Sequence, residues 1–111
     1  MVDIYLNEDQ SKLAYVKFSG ETLTHDFHDA FRSVYHHFKN EKIKLIIEIS
    51  HDAHLLDKSA LVEAAKYISE YHQSIENMVV IGLKGVYLHY FTLFLMMIPG
   101  SKIDYQLLAN R

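Results

Sequence analysis

The sequence predicts an α/β domain, a single mixed sheet of about four to five strands with helices packed on it. Three observations predict it. Ile43–Ile49 and Met78–Leu83 are apolar, β-branched runs of strand length. Phe27, Phe31, Val34 and Phe38 recur at helical spacing. Strand-like and helix-like stretches then alternate along the chain. With 111 residues there is room for one core, so 1–111 is read as a single domain.

Taken in order, Val2–Leu6 and Leu13–Phe18 flank the polar turn Asn7–Lys12 and read as a hairpin at one end of the sheet, closed by Gly20. Ala14, Val16 and Phe18 share one face of the second strand. Thr24 is a candidate helix N-cap, with Asp26 and Asp29 where negative charge suits the helix dipole. The Phe27–Phe38 stripe, with Ala30 beside it, faces the sheet, and Asn40 is the stop. In Ile43–Ile49, four isoleucine and leucine side chains point one way and Ile46 the other, which predicts a central strand covered on both faces. A second amphipathic helix is expected over about Lys58–Gln73, and Met78–Leu83 is the next buried strand. Joined through that helix, the two strands make a crossover unit. Val86–Ile98 is the third helix, stopped by Pro99-Gly100, and Lys102–Tyr105 is a last short edge strand.

Composition excludes several roles. A formal charge of −3 does not suit a phosphate backbone, so no nucleic-acid partner is expected. With no cysteine there is no disulfide and no thiolate metal site. The N-terminus shows no basic segment followed by an apolar run, and the thirteen residues of Val86–Ile98 fall short of the roughly 20 that span a bilayer. A cytoplasmic protein with no membrane span is therefore the expectation.

In sheets of this kind the site lies at the carboxyl ends of the strands. Here that is His51–Ser59, HDAHLLDKS. Asp57 is a candidate N-cap for the second helix, which puts Ser59 in its first turn, where a phosphate would meet free N–H groups. From the residues alone Ser59 is simply a good N-terminal helix residue. The run Leu56-Asp57-Lys58-Ser59-Ala60-Leu61 resembles the Asp-Ser-Ser-Gly-Leu-type helix start of the STAS family, the domain of sulfate-transporter tails and anti-sigma-factor antagonists. Asp57, Ser59 and Leu61 match, while Lys58 replaces a small residue and Ala60 a glycine. The later VVIGLKGVYLHYFTLFLMMIPG, followed by IDY, is similar to the SpoIIAA-like or STAS/SEC14-type subgroup. That resemblance implies a SpoIIAA-like topology and a non-catalytic regulatory module with Ser59 as phospho-switch. It implies His51, Asp52, His54, Asp57 and Lys58 as a partner-binding loop, and a regulatory kinase or anti-sigma factor as partner.

The third helix leaves only His89 and Thr92 polar between Val86 and Ile98. A helix apolar all round is buried on several sides or faces a partner. Tyr87, Tyr90, Phe91, Phe94 and Met97 are therefore expected to form a homodimer surface, or else to line a cleft for an apolar or lipid-like ligand.

Eight histidines invite a metal, and His25–His28 and His51–His54 are both i,i+3 pairs. Without cysteine or an HExxH pattern no metal and no cofactor are expected. Ser59, His51 or His54, and Asp52 or Asp57 could be drawn as a nominal triad. No nucleophile elbow surrounds Ser59, so catalysis ranks below binding.

Overall fold

The structure, a computed structural model, describes residues 2–7, 12–22, 24–39, 41–55, 66–83, 85–96 and 104–108. Strands β1 (Val2–Asn7) and β2 (Leu13–Phe18) form the antiparallel hairpin. A two-residue strand β3 (Glu21–Thr22) leads into helix α1 (Thr24–His37), followed by β4 (Ile43–Ile49) and a second short strand β5 (His54–Leu55). Helix α2 is described over residues 66–71 and passes through the 3₁₀ turn His72–Ser74 into β6 (Ile75–Ile81). Helix α3 (Gly85–Met96) and β7 (Asp104–Leu108) complete the order.

The main sheet runs β1-β2-β4-β6-β7, with β2, β4, β6 and β7 mutually parallel. Each crossover therefore steps in the same direction. Crossovers of one hand that all step one way deposit their helices on one face. The core shows that result. Phe27, Ala30, Phe31, Val34 and Phe38, reached through α1, join Ile68 of α2 and Phe91 of α3 in one cluster. That cluster also holds Ala14, Val16, Phe18, Leu45, Ile47, Met78 and Val80. Phe18 and Phe27 stack with ring centroids 4.1 Å apart, which fixes α1 over the end of β2.

Two expectations need correction. β4 is central, but it is not covered on both faces: Lys44 is exposed, and Ile46 and Glu48 are only half-buried. Ile46 is apolar because Tyr15 and Val79 flank it in register across the sheet. In the adjacent row Glu48 accepts a hydrogen bond from the Tyr15 hydroxyl at 2.7 Å and lies 3.7 Å from the Lys17 ammonium. Strand bounds also shift. β6 begins at Ile75 rather than Met78, and β7 spans Asp104–Leu108 rather than ending at Tyr105.

Candidate functional site

The carboxyl ends of β2 and β4 lie side by side, with Phe18 paired to Ile49. The Ser50 amide continues that pairing by donating to the Phe18 carbonyl at 2.9 Å. The chain then turns tightly, the Ala53 amide donating to the Ser50 carbonyl at 3.0 Å, which sets His51 and Asp52 at the two central positions. Both are exposed. Opposite them Gly20 adopts φ +63, a left-handed conformation that favours glycine. This bend turns the chain from β2 into β3, where Glu21 pairs with His54 and Thr22 with Leu55 in a parallel two-stranded ladder. Thr22 is fully buried, its hydroxyl donating to the Gly20 carbonyl at 3.4 Å.

Electrostatics favour charge at the turn. The Ser50 hydroxyl, bonded to the Asp52 carboxylate, is the largest influence holding Asp52 below its usual 3.8. Bonds from the backbone at Gly20 and at Asp52 itself, and the proximity of His51, act in the same direction, while desolvation opposes them. Asp52 is thus an ionised carboxylate displayed on a turn tied to the neighbouring loop.

The other expected site residues divide. Asp57, Lys58, Ser59 and Met97, with the side chains of His54, Tyr87 and Phe94, lie outside the described residues. Phe91 is not a surface residue: it is 2% exposed and packs into the core beneath α3. Its position in the helix directs it at the sheet. Tyr90 is 39% exposed, together with Leu93 at 43% and Met96 at 72%. Leu93 and Met96 escaped notice because polarity alone does not tell the inner from the outer side of an apolar helix.

The His25–His28 pair is split. His25 lies 3.5 Å from the Asp26 carboxylate, whereas His28 shares a 2.6 Å hydrogen bond with the Tyr67 hydroxyl of α2. Among the described residues no group of three or more metal-ligating side chains comes together. Between α1 and α2, Tyr35 and Tyr71 stack with centroids 3.9 Å apart, and Phe31 lies against Tyr67 at 6.1 Å. Partial burial raises the Tyr71 phenol above its usual 10.0, with the Glu70 carboxylate adding to the shift. An apolar cleft beneath these rings, floored by Ile43, Leu45 and Ile75, has about 30 Å³ of space. A cavity that binds benzene needs roughly 150 Å³, so this cleft accommodates little more than a water or two.

No family model and no curated protein matches the chain. A solved structure does. It is an uncharacterised protein of the DUF3478 family with a SpoIIAA-like fold, from Shewanella loihica PV-4. The match covers 95% of this chain and 85% of that one, with a TM-score of 0.59 and 14% sequence identity. This chain has a SpoIIAA-like fold. His51 and Asp52 sit beyond the carboxyl end of β4, beside that of β2. No described helix is long and apolar enough to cross a membrane.

Proposed function

We propose that this chain is a non-catalytic STAS-type protein-interaction module that meets its partner at the carboxyl edge of the parallel strands. The observation that carries the reading is the β3–β5 ladder, which ties the loop after β2 to the loop after β4. Loops fixed by backbone hydrogen bonds surrender little further freedom when a partner docks, so contact energy is not spent on ordering them. The ionised, exposed Asp52 supplies the polar determinant, and a basic group on the partner is its complement. His51 beside it adds a second exposed polar contact.

The segment that follows carries Ser59, seven positions after Asp52 in the sequence, and phosphorylation there would add about −1.5 to −2 charge. A partner that uses a cation to hold Asp52 would then face a changed field, which is how a kinase would switch the module. In the resemblance drawn from sequence the partner is such a kinase or an anti-sigma factor.

The test is affinity capture with the full chain as bait, comparing wild type with D52K and S59D. A partner held by wild type, released at least about ten-fold by D52K and altered by S59D supports the proposal. Equal capture by wild type and D52K refutes it. Turnover of a generic ester by the chain that disappears in S59A would instead assign catalysis.

A further inference from the structure

The chain has eight tyrosines, no cysteine and no tryptophan. Cysteine and tryptophan are the side chains that ordinarily give up single electrons in competition with tyrosine. Without them, a one-electron oxidant that reaches this chain leaves its unpaired electron on a tyrosine ring. The four methionines are oxidised differently, by gain of an oxygen atom to the sulfoxide.

What becomes of a tyrosine radical depends on its neighbours. Between α1 and α2, Tyr35 and Tyr71 stack with ring centroids 3.9 Å apart and planes 21° from parallel. Rings so placed bring their carbons into van der Waals contact. Both residues are half-buried, so part of the pair meets solvent. The comparable stack of Phe18 on Phe27 is sealed in the core and carries no hydroxyl. The Tyr71 hydroxyl is hydrogen-bonded to the Glu70 carboxylate, which can take its proton. Below the pair lie Val34, Ile43, Leu45 and Ile75, none of which can return an electron.

We propose that Tyr35 and Tyr71 are an oxidative modification site, where a peroxide-derived one-electron oxidant joins the two rings into a dityrosine that staples α1 to α2. Each phenol gives one electron to the oxidant and one proton to its surroundings, Tyr71 to Glu70 and Tyr35 to water. The unpaired electron of a phenoxyl radical is shared between the oxygen and the ring carbons beside it. Two such carbons, one from each ring, form the new bond. The hydrogen on each carbon then leaves as a proton while each oxygen takes one up, and both phenols are restored. The pair has lost two hydrogens, and one hydrogen peroxide has become two waters. Tyr67 is worse placed to couple: its ring is 5.9 Å from Tyr71 and tilted by 32°, and its hydroxyl is held by His28. The bond joins residues far apart in sequence, so it restrains the unfolded chain as a disulfide would. It supplies a covalent tie that a chain without cysteine otherwise lacks. Nothing in this chemistry depends on the His51–Asp52 edge.

The test exposes the full chain, dilute enough to suppress contact between copies, to photolysed peroxodisulfate, a peroxide that yields one-electron oxidants in buffer and in urea alike. Trypsin then separates Ser33–Lys39, which holds Tyr35, from Tyr67–Lys84, which holds Tyr71. Mass spectrometry is expected to find these two peptides joined with the loss of two hydrogens, in protein that runs as a monomer and shows dityrosine fluorescence. Y71F should lose that product, while Y67F and Y5F, the latter at a 60% exposed tyrosine of β1, should retain it. In urea the joined peptide should fall to background, a comparison that needs no variant to fold. A joined peptide equally abundant in urea, one kept by Y71F and lost in Y67F, or dityrosine confined to covalent dimers would overturn the proposal.

Discussion

Helices α1 and α3 lie on the same face of one sheet, and each drives aromatic side chains into the common core: Phe27 and Phe31 from one, Phe91 from the other. Their outer sides differ. α1 turns His25, Asp29, Arg32 and Ser33 to solvent, while α3 turns out Tyr90, Leu93 and Met96. Burial alone is satisfied by the inner side of either helix, so the composition of the outer side reports something besides folding. On α1 it is an ordinary solvated surface; on α3 it is a surface suited to being covered.

The largest effects test whether the inner sides are equivalent. F27A and F91A each delete a buried ring, and each should lower unfolding free energy by about 3–5 kcal/mol in urea titrations. A loss for F91A well below that for F27A would mean that α3 is only loosely attached, and the comparison would break. Next come the outer sides. L93K and R32L should each leave the fold within about 0.5 kcal/mol of wild type by the same measurement. A control remote from both helices is Y15F, on the opposite face of the sheet. It removes the 2.7 Å bond to Glu48 and should cost about 1 kcal/mol in the same titration, whichever helix has been altered alongside it.

The smallest effect is pH-dependent and belongs to the strand edge. The native state holds Asp52 below 3.8, so its contribution is present above that value and is lost as pH falls through the lower folded value. D52N should therefore reduce the urea midpoint slightly at pH 6 and match wild type at the acid end of the range. A difference that grows toward low pH would contradict the assigned hydrogen bonds.

Much of this fold was legible in the sequence because its signals are local. The apolar, β-branched run Ile43–Ile49 gave a strand with those bounds, and the phenylalanine spacing gave α1. The first residues of β6 were missed because Glu76 and Asn77 interrupt the apolar run: Glu76 is exposed and Asn77 lies on the half-covered face. The end of β7 was placed too early because Gln106 and Leu108 are strand only by pairing with β6, a long-range condition that five residues cannot announce. At the site, the position of the loop after Ile49 was readable from the hand-over of strand to polar turn. The β3–β5 ladder was not. Two-residue strands have no periodicity, and the signals available were Gly20, Ser50 and Asp52 as turn formers. Nor could hydropathy separate Phe91 from Leu93, because direction round a helix, rather than polarity, decides which is covered.

The order of strands across the sheet, β1-β2-β4-β6-β7, is also their order along the chain. Every strand after the first thus finds its neighbour already synthesised. As the polypeptide leaves the ribosome, no segment has to wait for a later one to supply its hydrogen-bonding edge, and the sheet can grow outward in the direction of translation. Incomplete chains of this fold always expose a template at the growing rim, a hazard for pairing with other nascent chains that passes from strand to strand until β7 takes the rim.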